Sequence, residues 1–286
     1  SNNTINFTDP RADGMILGWS YAAGGGIARD NTVSVAGNAS AMVVHAMGSP
    51  TTPFILSGNT LTSTGSSQEY PGDGAGIYVS TNFKFASSDT GDSYLTITGD
   101  NTITGFVKGI ELVKNNAKVV SANITGNAAS IHGNAVGVDI AAATATIADN
   151  AIYDNGSGVR VSLLGTATVN NNTMYGNPLQ FAFDSGAATG ATVNGFAMAG
   201  RAASDVEAVI NANLLTGKVY VGEGSPFTQV RAESGFVNVR NAIQPSVVAA
   251  VAADTVRVMG DAAVASRGTY NEQVSIGKAL TLLGER

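Results

Sequence analysis

The sequence predicts an all-β fold: a right-handed, single-stranded parallel β-helix with short capping helices. Three observations carry this expectation. Residues 145–155 (ATIADNAIYDN) and 167–177 (ATVNNNTMYGN) superpose with a shift of 22 residues, and a period near 20 residues signals stacked equivalent units. Of the 286 residues, 44% are hydrophobic and only 13% charged, with 35 glycines; that balance, rich in Asn, Thr, Ser, Ala and Val, suits short strands joined by tight turns. Finally, Ile103, Ile131, Ile152 and Met174 recur 28, 21 and 22 residues apart, which is one solenoid coil per unit with the variable length taken up in loops.

Taken in order, residues 1–53 are weakly patterned. Ile5-Asn6-Phe7, Met15-Ile16-Leu17, Thr32-Val33-Ser34-Val35 and the apolar run at 41–46 are strand candidates, and Gly24-Gly25-Gly26 is a turn. From Phe54 the coils become legible. Each combines an aliphatic pair, an asparagine and a Gly-aliphatic strand, as in Gly109-Ile110-Glu111-Leu112, Gly137-Val138-Asp139-Ile140 and Gly158-Val159-Arg160-Val161. Coils fill residues 1–200.

Alternate strand residues point inward, so a single coil cannot bury its inner face, and the aliphatic residues must stack in columns. The core ladder is Ile103, Ile131, Ile152 and Met174; Ile110/Val138/Val159 and Leu112/Ile140/Val161 run beside it. Each buried aliphatic contributes about 1.5–3 kcal/mol. Asn127, Asn150 and Asn172, and likewise Asn134, Asn155 and Asn177, fall at the corners. There Asn tolerates left-handed backbone, and its amide bonds the equivalent residue one coil on.

The I-x-x-N-x-I-x-x-N-x-x-G-V-x-V pattern of residues 147–161 resembles the parallel β-helix repeat of the pectate-lyase-like superfamily. The resemblance covers roughly residues 54–200. It implies the fold; it implies little about activity, because that superfamily holds lyases, hydrolases, adhesins and structural proteins.

Residues 201–240 break the period. Ser204-Asp205-Val206-Glu207 reads as a capping box, with a short helix at 205–215 and strands at 219–221, 227–230 and 236–239. Residues 241–286 then carry Ala242-Ile243-Gln244, a cap helix near 245–253, the strand 254–258, Gly268-Thr269-Tyr270-Asn271-Glu272, Val274-Ser275-Ile276 and the strand 280–285. This segment looks like the opening of a β-helix domain in large tandem-repeat surface proteins of bacteria, except for the extra run at 261–266. An opening element closes the chain, and Asn3-Thr4-Ile5-Asn6-Phe7 reads as its continuation. Thr4, Ile5 and Phe7 at one end and Val274, Ile276, Leu280, Leu282 and Leu283 at the other are therefore expected to dock unit on unit. The neighbour is covalent or free, or else the tail caps its own solenoid.

Two outward columns are candidates for a binding face: Tyr78, Glu111, Asp139, Arg160 and Gln180, with an Asp139–Arg160 surface pair, and Thr104, His132, Tyr153 and Tyr175, with Asp154 beside them. His132, Tyr153 and Asp154 have acid–base chemistry suited to a glycan cleft, but a solvated polar and aromatic face explains both columns as well. The clustered carboxylates of a Ca2+ site are missing, and with His45 and His132 the only histidines a His-based metal site is not expected. The sequence calls for no catalytic residue, no cofactor and no metal. A net charge of -6 argues against nucleic acid, and no apolar run approaches the length of a membrane span. Zero cysteines exclude disulfides. No secretory leader is visible, consistent with a mature chain or an excised segment. The expected function is a structural, non-enzymatic, extracellular or cell-surface β-helix that pairs with itself head to tail. The alternatives are a carbohydrate-binding or polysaccharide-cleaving β-helix and a glycan-binding adhesin.

Overall fold

The computed structural model describes residues 1–18, 25–65, 73–83, 86–127, 130–170, 172–175, 177, 179–183, 192–193, 196–197, 230–233, 236–239, 243–244, 247, 252, 255–259 and 273–285. The fold is all-β. Its main body is a parallel β-helix of seven coils, each contributing one strand to each of three sheets.

The first coil is β1 (Thr4–Asn6), β2 (Met15–Leu17) and β3 (Ile27–Arg29); the second is β4 (Thr32–Ala36), β5 (Met42–His45) and β6 (Phe54–Ser57). The third is β7 (Thr60–Thr64), β8 (Ala75–Ser80), a side hairpin of β9 (Asn82–Phe83) and β10 (Ala86–Thr90), and β11 (Ser93–Thr98). The fourth is β12 (Thr102–Thr104), β13 (Lys108–Val113) and β14 (Val120–Thr125); the fifth is β15 (Ser130–His132), β16 (Val136–Ala141) and β17 (Thr144–Ala148). The sixth is β18 (Ala151–Tyr153), β19 (Ser157–Ser162) and β20 (Thr166–Asn170), and the seventh is β21 (Thr173–Tyr175), β22 (Leu179–Phe183) and β23 (Thr192–Val193). The first strands of the coils build sheet A, the second strands sheet B, and the third strands sheet C. Residues 1–53, weakly patterned as sequence, thus form two regular coils of the same solenoid.

Side chains stack in register. In sheet A, Ile5, Val33, Leu61, Ile103, Ile131, Ile152 and Met174 oppose one another coil by coil. In sheet B the inner columns are Ile77/Ile110/Val138/Val159/Phe181 and Val79/Leu112/Ile140/Val161. In sheet C the column is Ala28/Leu56/Ile97/Ile124/Ile147/Val169. Together these columns make one continuous apolar core.

The sheets differ on their outer faces. Strands β11, β14 and β17 alternate buried with accessible residues, as a sheet with one wet face must. Strands β8 and β13 are buried at every position, so sheet B is covered on both faces there.

Gly76, Gly109 and Gly137 stand at equivalent positions of sheet B, just before the inward Ile or Val. A Cβ on Gly109 would lie 2.6 Å from the Gly137 carbonyl oxygen, and one on Gly137 would lie 2.6 Å from that of Gly158. The chain bends so close to its neighbouring coil here that no side chain fits.

The two ends of sheet C differ. Beyond β23, a two-residue antiparallel strand, β24 (Phe196–Ala197), closes the sheet. At the other end, among the described residues, β3 has β6 as its one strand partner, and Asn2 N donates to Arg29 O on its far side. The inward residues of the first coil, Ile5, Met15 and Leu17, remain partly exposed, and Ile16 and Ile27 are 47% and 51% exposed.

A separate four-stranded sheet follows in the order β25 (Val230–Glu233), β26 (Phe236–Val239), β27 (Thr255–Met259) and β28 (Thr281–Glu285). Strand β25 is antiparallel, while β26, β27 and β28 are parallel. Ile243 and Gln244, just before the expected cap helix, and Val247 within it are helical; Ala252 is a turn, and the rest of 245–253 lies outside the described residues. The expected helix at 205–215, the strand at 219–221 and residues 227–229 of the next expected strand lie outside the described residues; Val230 begins β25.

Candidate functional site

Three arrangements of polar side chains stand out, and the coil geometry builds each of them.

The first is a pair of asparagine ladders. Asn127 Nδ2 donates to Asn150 Oδ1 at 2.8 Å, and Asn150 Nδ2 to Asn172 Oδ1 at 2.9 Å. This ladder reaches back through Asn101, Asn59 and Asn31 to Asn3, with steps of 26, 42, 28 and 28 residues. Each interior amide oxygen also accepts the backbone N–H of the preceding ladder residue, as Asn150 Oδ1 does from Asn127 N at 3.2 Å. From Asn59 to Asn172 each Nδ2 also donates to a carbonyl of the preceding coil, as Asn150 does to Ile124 O. The second ladder, Asn134, Asn155 and Asn177, obeys the same rule and begins where Phe106 N donates to Asn134 Oδ1. Buried polar groups are costly unless bonded, and here every turn supplies the partner for the next.

One expectation about these corners is corrected. The ladder asparagines are not the left-handed residues. Among the described residues the one before each ladder asparagine is: Asn2, Asp30, Gly58, Asp100, Gly126 and Asp149 along the first ladder, and Gly133 and Asp154 before Asn134 and Asn155, all have positive φ. Left-handed backbone one residue earlier turns the Asn side chain into the stack. Asp154, a candidate acid, is therefore a turn residue.

The second arrangement is the outer column of sheet A, where Thr104, His132, Tyr153 and Tyr175 occupy opposing positions. The His132 and Tyr153 rings stack at 4.9 Å with 12° between their planes, so their faces are turned to each other. His132 Nδ1 lies 2.7 Å from Ser130 Oγ. Burial lowers the His132 pKa, opposed by the charge of Asp154. A neutral imidazole stacked on a phenol is suited to holding two coils together.

The third arrangement lies on the outer face of sheet B and overturns part of the expected exposed face. Glu111 and Asp139 are each only 2% exposed. The physical reason is their surroundings: Val43, Ala75, Tyr78 and Val113 form a second apolar cluster distinct from the core, on a stretch where the sheet has no wet face. Asp139 is the centre. Arg160 donates to it twice, Nε to Oδ1 at 2.8 Å and Nη2 to Oδ2 at 2.6 Å, and Lys108 Nζ stands 3.2 Å from Oδ2. Lys108 also donates to Glu111 Oε1. Glu111 Oε2 is buried and meets no hydrogen-bond partner among the described residues. Burial holds the Glu111 carboxyl above the usual carboxylate range, against the pull of the Lys108 charge. Burial likewise pushes the Tyr78 phenol up to about 12, opposed by its hydrogen bonds with Ser80 and Asn115 and reinforced by Glu111. Gln180 does not extend this column; the register sets Ala182 opposite Arg160. Lys108, absent from the sequence reading, joins because the glycine bend at Gly109 turns residues 108 and 111 to the same side.

Chemically, two carboxylates on adjacent coils resemble an acid pair, but each is held by a cation and neither faces solvent. No group of three or more His, Cys, Asp or Glu suited to a metal occurs among the described residues, and no described helix is long and apolar enough to cross a membrane. Of the docking candidates, Thr4 and Ile5 lie on β1, opposite Thr32 and Val33, and Phe7 follows it, 37% exposed. Leu282 and Ile276 are 44% and 48% exposed, and Val274 and Leu280 are partly buried. Leu283 lies on β28 opposite Arg257.

No family model, curated protein or solved structure matches the chain.

Proposed function

We propose that this chain is a structural, non-catalytic β-helix unit of a bacterial extracellular or cell-surface protein, and that it functions by stacking end to end with further units of its kind. The observation that carries the reading is the asymmetry of the solenoid. Among the described residues sheet C turns back on itself at β24, whereas at β3 the strand partner is β6 and the far side is met by Asn2 N at Arg29 O, and apolar Ile5, Met15, Leu17 and Ile27 stay partly exposed. Exposed strand edges are templates for further strands, and a heterologous contact that does not close on itself generates an open fibre. The resemblance of residues 241–286 to a β-helix opening in tandem-repeat surface proteins supports the end-to-end reading and the extracellular setting, and the resemblance of residues 147–161 to the pectate-lyase-like repeat is consistent with membership of that superfamily. The buried ion network supports a structural role, because its carboxylates are committed to Lys108 and Arg160. Sedimentation and electron microscopy of the purified chain test this. Rods that lengthen with concentration are expected; a strictly monomeric particle at all concentrations overturns the reading.

The unpartnered Oε2 of Glu111 favours a second reading, a carbohydrate-active face on sheet B. Incubation with a panel of acidic and neutral polysaccharides separates the two. Turnover lost in Glu111→Gln or Asp139→Asn would replace the structural reading with the enzymatic one.

A further inference from the structure

We infer that Lys108 and Asp139 condense to an amide, a covalent staple between coils four and five that forms inside the folded chain with Glu111 as its proton carrier. The staple forms within one chain, whether or not copies stack.

Three acid–base groups converge on the outer face of sheet B. Lys108 and Glu111 lie on β13 and Asp139 on β16, and the register sets Glu111 opposite Asp139. Lys108 Nζ stands 3.2 Å from Asp139 Oδ2, an atom bonded to the carboxyl carbon, and donates to Glu111 Oε1. The side chains of Lys108, Glu111 and Asp139 are 9%, 3% and 2% exposed.

An amine and a carboxylate in water are ions, and they stay apart. Burial changes both terms. A buried ion pair carries a desolvation penalty that a neutral amide does not, and the water that would reverse the reaction is kept out. Holding the two groups in contact replaces a bimolecular encounter, with effective molarities of about 10⁵–10⁸ M for well-oriented reactants.

The neighbours supply the rest. Burial holds the Glu111 carboxyl above the usual carboxylate range, so it takes up a proton and gives it back. Its Oε2 has no hydrogen-bond partner among the described residues, so the carboxyl turns without breaking a bond there. Arg160 donates to both oxygens of Asp139, and its charge stabilises the oxyanion of a tetrahedral intermediate.

The step balances in atoms and charge. One proton of the Lys108 ammonium passes through Glu111 to Asp139 Oδ2, which leaves a neutral amine beside a neutral acid. The nitrogen lone pair forms the Nζ–Cγ bond, and the carbonyl π pair moves onto Oδ1, beside Arg160 Nε. That pair then returns, the Cγ–Oδ2 bond breaks, and Oδ2 departs as water with a second proton from Nζ. The third proton stays on the amide nitrogen. Glu111 ends as it began, and no oxidant or reductant is involved.

Mass spectrometry of the full-length folded chain tests the staple. The expected intact mass is lower by one water than the sequence requires. After denaturation, trypsin cuts behind Lys84, Lys114, Lys118 and Arg160 but not behind an acylated Lys108, so residues 85–114 and 119–160 are expected as one branched peptide. An intact mass that matches the sequence, with cleavage behind Lys108, overturns the staple. So does a water lost by ring closure at Asp13-Gly14 or Asp73-Gly74, which leaves every peptide unbranched. Glu111→Gln and Glu111→Met, checked for folding by circular dichroism, are expected to keep the full mass and to be cut behind Lys108. A branched peptide from either folded variant overturns the part given to Glu111. The parent's peptide map decides the link itself without any variant.

Discussion

Arg160 closes on Asp139 with two hydrogen bonds across adjacent coils, and Asp139 is 2% exposed while the Arg160 side chain is 34% exposed. The pair is therefore asymmetric: one partner is sealed in and the other reaches solvent. Breaking a buried pair by removing one member costs about 3–5 kcal/mol when a buried charge is left behind. Asp139→Ala takes the shared acceptor from Arg160 and Lys108, but Lys108 keeps Glu111 and Arg160 reaches solvent, so a destabilisation toward the lower end of that range is expected in urea unfolding. Arg160→Ala leaves the sealed Asp139 carboxylate with Lys108 alone, and a loss of similar size is expected.

Glu111 makes stability depend on pH in a defined direction. Its folded-state pKa is raised above the ordinary value of 4.5 by burial, so the folded chain binds that proton more tightly than the unfolded chain. The ionised form weighs against folding at neutral pH, and this weight lifts as pH falls through the raised value toward 4.5. Glu111→Gln removes the titration. Relative to the parent, the variant is expected to be favoured most at pH 7 and progressively less toward pH 4.5, as read by chemical unfolding at each pH. A pH-independent difference contradicts the assignment.

The ladder predicts position-dependent asparagine losses. Asn150→Ala removes the acceptor of Asn127 Nδ2 and Asn127 N, and the donor to Ile124 O. Each buried group left without a partner costs about 1–3 kcal/mol. Asn6→Ala, at an exposed position, is expected to stay within about 0.5 kcal/mol. Equal effects from the two would mean that the ladder adds nothing to stability.

Gly137→Ala forces a Cβ to 2.6 Å from the Gly158 carbonyl oxygen and 3.0 Å from Ile152 Cγ2. Backbone cannot yield as a flexible side chain does, so overpacking of about 1–3 kcal/mol is expected. Gly277→Ala has nothing within 4 Å and serves as the neutral control. Thermal unfolding of the two distinguishes a tight coil bend from general glycine sensitivity.

The solenoid was readable in sequence from Phe54 onward because coils five to seven keep nearly equal lengths. Ladder steps there are 23 and 22 residues, against 42 between Asn59 and Asn101, where the β9–β10 hairpin and its flanking loops intrude. The earlier coils carried a signal of their own: Asn3-Thr4-Ile5, Asn31-Thr32-Val33, Asn59-Thr60-Leu61 and Asn101-Thr102-Ile103 repeat one motif at uneven spacing. A search by fixed period passes over it. The outer face of sheet B was misread for a different reason. Tyr78, Glu111, Asp139 and Arg160 alternate with aliphatics as a wet face does, and the burial of the first three beside a second apolar cluster is a tertiary feature with no local trace. Lys108 was hidden because a Gly bend breaks strict alternation. The stack of His132 on Tyr153 followed from register, whereas its closed ring faces did not.

The open first coil is the feature on which the functional account depends, and amide hydrogen exchange at residues 27–29 of the full chain, followed from dilute to concentrated solution, tests it most directly. The account predicts that protection at these residues and at residues 281–285 rises together with concentration, while coils three to six do not change. Exchange at residues 27–29 that is independent of concentration, in a chain whose inner coils are well protected, would contradict it.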